Sequence, residues 1–254
     1  MKKTFTWALA TIAVLTVLTG CEKEDEDEIS MDDVNKGVTT VPGNGGKEYG
    51  VVDLGLGVSV LWATCNIGAT SPEQYGDYFA WGETQPKEDS KEYTWKDYIF
   101  CNNGDYSAIN KYILDTDKSH NGQKDNKKIL EAIDDAATQL MGSKWSIPSY
   151  DNYVELISRC NYKCCKLNGT WGYLFTSKDN GNSVFFPLSG MRDPKEIMYS
   201  GSRGYYWSKE LIGDEENDIK TLNAYTLDLF EETNPVNSYQ SREIGLPIRP
   251  VYTE

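Results

Sequence analysis

Alternating apolar and polar residues predict one β-hairpin in the second half of the chain. Its arms are residues 172–178 and 183–188, both rich in aromatic and branched side chains. Asp179, Asn180, Gly181 and Asn182 lie between them, and an Asn-Gly pair tolerates the positive φ of tight hairpin turns. We therefore expect two antiparallel strands joined over residues 179–182.

A helix is predicted after Ser149, which is a good N-cap. Tyr153, Leu156, Ile157 and Cys160 follow it at helical spacing. The third residue after the cap is Asn152 and not Glu, so we expect an incomplete capping box.

A second helix is predicted over residues 129–141, which have helical composition and are followed by Gly142. Asp134 and Asp135 are interpreted as acids near a helix start, where the helix dipole favours them.

Further strands and a long loop region complete the predicted elements. Residues 86–126 are polar with isolated aromatics, which indicates loops held to a core by their rings. The other predicted strands are residues 51–56, 58–67, 78–81, 205–208, 221–230 and 246–252. Strands outnumber helices, so the predicted class is α+β, with a mostly antiparallel twisted sheet, about two helices and long loops.

The first 20 residues have the layout of an export signal. Lys2 and Lys3 precede an uncharged apolar run over residues 5–18, which is shorter than the ~20 residues of a membrane-spanning helix. Leu18-Thr19-Gly20-Cys21 then matches the lipobox of bacterial lipoproteins, whose cysteine thiol is joined to diacylglycerol. We predict a signal peptide over residues 1–20 and acyl chains on Cys21 as the anchor. An ordinary secretory signal that contains a cysteine is the alternative.

Residues 21–48 are acidic and then rich in glycine. Charged residues fill positions 22–28, and such density predicts a solvated, disordered tether. An acidic stretch directly behind a lipidated cysteine also resembles the signal that sends lipoproteins of Bacteroides-type bacteria to the outer cell surface. We therefore expect an outer-membrane lipoprotein exposed on the cell surface. A plain solubilising spacer is the alternative.

Charge and histidine content narrow the possible chemistry. From Tyr49 onward the chain carries 30 acidic and 20 basic side chains, a formal charge of about −10, so nucleic acid is not an expected partner. The single histidine, His120, excludes zinc sites with two or three histidines. No Gly-x-Ser-x-Gly elbow and no Gly-rich phosphate loop is present. No metal or cofactor is predicted, whereas hydrolysis by a carboxylate pair stays open.

Five cysteines follow Cys21, and export to an oxidising compartment favours a disulfide. They are Cys65, Cys101, Cys160, Cys164 and Cys165. The odd number leaves at least one thiol outside any intramolecular bridge. Cys65 with Cys160 is the first candidate pair because both lie in patterned segments, and buried thiols without a bridge are the alternative.

The order of several short motifs carries a family resemblance. The motifs are Val52-Asp53-Leu54-Gly55-Leu56, Leu61-Trp62-Ala63-Thr64-Cys65-Asn66-Ile67-Gly68-Ala69, Tyr75-Gly76-Asp77-Tyr78-Phe79-Ala80-Trp81-Gly82-Glu83-Thr84, Asp134-Asp135-Ala136-Ala137, Trp145-Ser146-Ile147-Pro148-Ser149, Thr176-Ser177-Lys178, Gly181-Asn182-Ser183, Gly204-Tyr205-Tyr206-Trp207-Ser208 and Gly245-Leu246-Pro247-Ile248-Arg249-Pro250-Val251. In this order they resemble the Fibrobacter succinogenes major paralogous domain, which is abundant in lipoproteins of Bacteroides-type bacteria. The chain differs from that pattern at Ser146, where members usually carry Arg. It also differs at Asn152-Tyr153, where they tend to show Glu-Trp, and at Leu188-Ser189-Gly190, in place of an Ala-Ala-Gly run.

The resemblance covers nearly all of residues 49–252, so the folded domain is assigned to residues 49–254. It implies a distant relation to the C-type-lectin-like fold, in which two helices accompany a twisted antiparallel sheet and long loops. Fold analogy alone does not supply a function.

Long loops on a rigid scaffold suit recognition, so the favoured hypothesis is a non-catalytic binding or adhesion module for a glycan or a surface protein. Trp95 and Trp171 are the candidate ligand-binding residues because they lie outside the shared motifs. The tryptophans inside those motifs are assigned to the core: Trp62, Trp81, Trp145 and Trp207. The acidic residues 214–218 offer oxygen ligands for calcium, although a solvated loop is the simpler interpretation.

Two other functions stay open. The first is a structural subunit of a larger surface assembly, which nothing in the sequence separates from a binding module. The second is an enzyme. The formylglycine-generating enzymes share the broad fold and need an active-site cysteine pair, but no segment resembles their motif. Cys164 and Cys165 are adjacent and therefore poorly placed to act as such a pair.

Overall fold

Three short α-helices and fourteen β-strands lie in residues 27–57, 59–212, 220–231 and 233–254, which the computed structural model describes. The helices are α1 (Met31–Asn35), α2 (Ala136–Met141) and α3 (Tyr150–Arg159). The strands are β1 (Glu28–Ile29), β2 (Val38–Pro42), β3 (Glu48–Val52), β4 (Leu61–Ala63), β5 (Trp145–Ser146), β6 (Cys160–Leu167), β7 (Thr170–Ser177), β8 (Ser183–Pro187), β9 (Met191–Arg192), β10 (Ile197–Met198), β11 (Arg203–Leu211), β12 (Asn223–Phe230), β13 (Thr233–Ser241) and β14 (Val251–Tyr252).

The strands form four sheets. Their orders are β1-β6-β7-β8, β2-β3-β4-β14-β5, β11-β12-β13 and β10-β9. Only β1 runs parallel to its neighbour among the paired strands of the described residues. The predicted α+β class with mostly antiparallel strands is therefore confirmed.

The predicted hairpin is confirmed as β7 and β8. Thr176 pairs with Ser183, and the turn between them includes Gly181 at a φ of 71°. The side-chain Nδ2 atoms of Asn180 and Asn182 both donate to the backbone carbonyl oxygen of Asp53, at 2.9 and 2.8 Å. The turn residues therefore allow the tight reversal and also fasten it to the segment after β3.

The start of α3 is confirmed at Ser149, but its capping box is complete. Ser149 Oγ accepts from the Asn152 amide at 3.1 Å, and Asn152 Oδ1 accepts from the Ser149 amide at 2.8 Å. The expectation of an incomplete box was wrong because the Asn side chain also reaches the cap.

The predicted helix over residues 129–141 is shorter than expected. Ile129 forms an isolated antiparallel bridge with Glu210, and Leu130 N donates to Lys209 O at 2.9 Å, so this segment pairs with β11 and the helix begins only at Ala136. Asp135 is the N-cap of α2 and accepts from the Thr138 amide at 3.0 Å, and Gly142 follows at a φ of 123°. Asp134 instead closes a short 3₁₀ turn before the cap.

Several strands differ from the prediction. β3, β4 and β14 cover only parts of the predicted segments. The predicted strand over residues 78–81 was wrong, because only Phe79 pairs there, in an isolated bridge in which Phe79 N donates to Leu246 O at 2.9 Å. β6 and β13 were not predicted. Their polar residues obscure the alternation of apolar and polar side chains by which a strand is recognised, and the apolar Val236 and Tyr239 of β13 are exposed.

The predicted disordered tether over residues 21–48 was wrong for residues 28–48, which form β1, α1, β2 and the start of β3. Apolar residues spaced along this segment pack against the rest of the domain. Val34 of α1 is only 3% exposed and packs with Cys165, Leu167 and Phe185 in a small cluster, the Val34 cluster. β2 pairs along its whole length with β3. The folded part therefore starts well before Tyr49.

Two larger clusters form the core. The Trp81 cluster also holds Trp145 and Trp207, and the Trp62 cluster holds Tyr153, Phe186 and Tyr206. All four tryptophans assigned to the core are fully buried, as predicted. The polar region 86–126 sends buried rings into the Trp81 cluster, also as predicted: Tyr93, Tyr98, Phe100 and Tyr112.

Candidate functional site

A cleft of about 660 Å³ opens beside β3 and β4. Small-molecule sites have volumes of roughly 300–1,000 Å³, so the cleft has the size of a ligand site. Its lining residues are Lys47, Glu48, Tyr49, Gly50, Ala63, Thr64, Cys65, Asn66, Ile67, Gly68, Ala69, Thr70, Asp77, Leu140 and Met141.

One wall of the cleft is the junction of β3 with the end of β4. Thr64 donates its amide to Gly50 O at 2.9 Å, and its hydroxyl donates to the same oxygen at 3.2 Å. Gly50 has no Cβ, and one there would lie 2.7 Å from Thr64 Oγ1. Leu140 and Met141 at the end of α2 add apolar surface to the lining.

A loop between residues 66 and 77 forms the rim. Asn66 donates through Nδ2 to Tyr75 O at 2.8 Å, and Asp77 donates its amide to Ile67 O at 2.8 Å. Gly68 has a φ of 83°, and a Cβ there would overlap the Asp77 carboxylate. Glycine at this position therefore lets the carboxylate lie against the backbone at the mouth of the cleft.

Arg249 supports this rim from below. Its side chain is fully buried, and Nε donates to Asn66 Oδ1 at 2.9 Å. Nη1 donates to Ala63 O at 3.1 Å and to Thr64 O, and the guanidinium lies 4.8 Å from the centre of the Phe186 ring. Burial lowers the pKa of Arg249, and the nearby Tyr206 and Cys65 side chains oppose that shift.

The polar groups at the mouth are available to a ligand. Desolvation raises the pKa of the Asp77 carboxyl, although the residue is exposed overall. Asp77 makes no ion pair or side-chain hydrogen bond to any residue that the structure describes. The half-buried Tyr49 ring meets Trp145 edge-on at 5.4 Å between ring centres, which holds it at the wall of the cleft.

Trp95 and Trp171, the predicted ligand-binding residues, are absent from the described lining of the cleft. Trp95 is partly buried against the Trp81 cluster and meets Tyr98 edge-on at 5.6 Å. Trp171 of β7 packs partly against the Trp62 cluster, and Lys166 Nζ lies 4.8 Å from its ring centre. The two rings therefore do not join the cleft in one site.

The predicted disulfide between Cys65 and Cys160 is not formed, and all five cysteines of the described residues are free. Cys160 is only 1% exposed, within the Trp62 cluster, whereas Cys65 is half-buried on the cleft wall. Burial raises the pKa of the Cys160 thiol to about 12 and those of Cys164 and Cys165 to about 11. It also raises the pKa of Cys101.

Other candidate groups lie away from the cleft. Asp134 forms an ion pair with Lys111 and accepts from the Tyr112 hydroxyl at 2.5 Å, and His120 is exposed. No group of three or more His, Cys, Asp or Glu with metal-binding geometry occurs in the part of the chain that the structure describes. Cys21 and residues 214–218, which were considered as oxygen ligands for calcium, lie outside the described residues.

No family model, curated protein or solved structure matches the chain. Among the described residues, no helix has the length and apolar character needed to cross a membrane.

Sequence reasoning did not select Tyr49, Thr64 or Asp77 as site residues. For Thr64 and Asp77 the available signal was their place in the motifs 61–69 and 75–84, which put polar residues between apolar ones, whereas Tyr49 lies outside both motifs. Only the fold shows that these two motifs meet across one cleft.

Proposed function

We propose that the chain is an outer-membrane lipoprotein, anchored through lipid on Cys21 and exposed on the cell surface, whose domain binds a glycan without catalysing a reaction. The lipobox supports the lipid anchor, and the acidic residues behind it support the location on the cell surface. The ordered motifs support membership of the Fibrobacter succinogenes major paralogous domain family and a distant relation to the C-type-lectin-like fold.

The cleft beside β3 and β4 carries the proposal of glycan binding. A sugar ring offers an apolar face together with several hydroxyl groups. The Tyr49 ring, with Leu140 and Met141, supplies apolar surface in the cleft, while the Asp77 carboxylate accepts hydrogen bonds at its mouth. A hydrogen bond to a charged acceptor contributes more than a neutral one, so Asp77 is the expected anchor for sugar hydroxyls.

A glycan array probed with the detergent-solubilised full chain tests this function, once with calcium and once with chelator. We expect saturable binding that is lost in Tyr49→Ala and weakened in Asp77→Asn. Trp95→Phe is the matched control, because Trp95 is a half-buried aromatic outside the cleft, and it should bind as the parent chain does.

Binding that survives both cleft variants but is lost in Trp95→Ala or Trp171→Ala would contradict the assignment of the cleft. Absence of binding to every glycan on the array, together with recovery of a defined bacterial surface protein from native membranes, would instead favour a structural subunit of a larger surface assembly.

A further inference from the structure

The first described residues are joined to one edge of the sheet β1-β6-β7-β8. Asp27 O accepts from the Lys166 amide at 2.8 Å, and Glu28 pairs with Lys166 in the parallel β1–β6 ladder. Glu28 Oε1 also accepts from the Gly169 amide at 3.0 Å. The chain therefore enters the domain beside the turn between β6 and β7.

The point at which the chain enters the domain limits the distance between the domain and its lipid anchor. Asp27 is the sixth residue after Cys21, and a polypeptide of six residues spans at most roughly 20 Å in any conformation. If Cys21 carries lipid, as proposed above, the β6–β7 turn lies within that distance of the acyl chains.

Two side chains at this edge, those of Trp171 and Lys166, are of the kinds that favour a membrane interface, and they lie beside the exposed acid Glu28. Trp171 is half-buried, so part of its ring is accessible, and Lys166 Nζ lies 4.8 Å from the ring centre. Asn168 and Gly169 form the exposed turn between them. Tryptophan is enriched at the headgroup level of membranes, and lysine extends its ammonium to the water there while its methylenes cover apolar surface.

We propose that this edge of the domain rests on the bilayer surface, with Trp171 and Lys166 at the level of the lipid headgroups. The proposal depends on the lipid anchor of the proposed function, and it assigns Trp171 to a membrane contact instead of the ligand site. The partner is the lipid surface itself, because the short link to Cys21 brings this edge to it.

Quenching of tryptophan fluorescence by brominated lipid tests the contact. The acylated full chain is reconstituted in vesicles of phosphatidylcholine with bromine high on the acyl chains, and in unbrominated vesicles for comparison. Zwitterionic lipid is chosen because residues 22–28 contain six acids and one lysine. We expect the bromolipid-dependent loss of emission to disappear in Trp171→Phe.

Trp95→Phe provides the matched control, since Trp95 is also half-buried but packs against the Trp81 cluster, and it should keep the quenching. A chain that floats with the vesicles but shows no quenching, or equal quenching in Trp171→Phe, would overturn the membrane contact alone. A chain that carries no lipid on Cys21 by mass spectrometry and does not float would overturn both the anchor and the contact. Neither result depends on glycan binding, which the array measures separately.

Discussion

Arg249 Nε donates to Asn66 Oδ1 at 2.9 Å, so a buried guanidinium near the end of the chain fixes a residue in the wall of the cleft. Asn66 uses its other amide atom to hold Tyr75 O, which closes the loop that leads to Asp77. The cleft rim is therefore held by a side chain that a ligand in the cleft would not touch.

Replacing Arg249 by Met should destabilise the fold. The change leaves Ala63 O and Asn66 Oδ1 without their buried donor, and each unsatisfied buried group costs about 1–3 kcal/mol. We expect the free energy of unfolding to fall by about 2–4 kcal/mol, measured by urea denaturation. Lys124→Met is the control, because Lys124 is exposed and its replacement should change stability by less than about 0.5 kcal/mol. Equal losses in the two variants would contradict the supporting role of Arg249.

Asp77→Asn should weaken glycan binding by about tenfold, because the variant loses the charged acceptor at the mouth of the cleft. The pKa of Asp77 lies above its usual value of 3.8, so the charge and the affinity that depends on it should be lost as pH falls through that raised pKa. Titration calorimetry across pH with the glycan from the array measures both effects. An affinity in Asp77→Asn that still falls over the same pH range would assign the dependence to another group.

Asp228 should make the fold less stable at neutral pH than at about pH 4. Burial raises its pKa from 3.8 to about 6, while a hydrogen bond from Thr226 Oγ1 at 2.6 Å opposes the shift. The folded state thus binds the proton more tightly than the unfolded state, so stability is lost as pH rises from about 4 to about 6. The shift corresponds to about 3 kcal/mol.

Asp228→Asn should remove that part of the pH dependence in urea denaturation between pH 4 and pH 8. The exposed Asp117→Asn variant serves as control and should follow the parent curve. If both variants follow the parent curve, the buried Asp228 carboxyl is not the group that titrates.

Cys65 should react with a water-soluble maleimide before the other four cysteines of the folded domain. It lies on the wall of the cleft, whereas burial raises the pKa of each of the others and so reduces its thiolate fraction. Mass spectrometry of the labelled native protein should find the first adduct on Cys65. Cys65→Ala should abolish this fast labelling and Cys164→Ala should leave it unchanged. A first adduct on Cys164 would show that the cleft does not expose the Cys65 thiol.

The sequence predicted best those elements whose local residues agree with their tertiary place. Asn180 and Gly181 suit the tight turn that joins β7 and β8, and Ser149 caps α3 where the apolar period begins. In these segments the turn or cap is determined within a few residues, so a pattern along the chain is sufficient to find it.

Other parts depend on partners far away in sequence and could not be predicted from local pattern. Val34 stands among acids and glycines, yet it is buried because β6 and β8 offer it apolar neighbours. Arg242 and Arg249 carry charges that usually mark exposed positions, yet both are fully buried beneath aromatic rings and backbone carbonyls. The cleft itself joins residues 47–50, 63–70, 77 and 140–141, which only the completed fold brings together.

The pairing of β1 with β6 also has a mechanical consequence. The chain passes from the proposed lipid anchor into β1, so tension between the membrane and a ligand held in the cleft acts first on two residue pairs and on α1. Release of residues 27–35 would add roughly 30 Å of extended chain before the load reaches β2. The cleft residues on β3 and β4 follow β2 in the chain, so the tethered edge can unfold under load while the proposed ligand site stays folded.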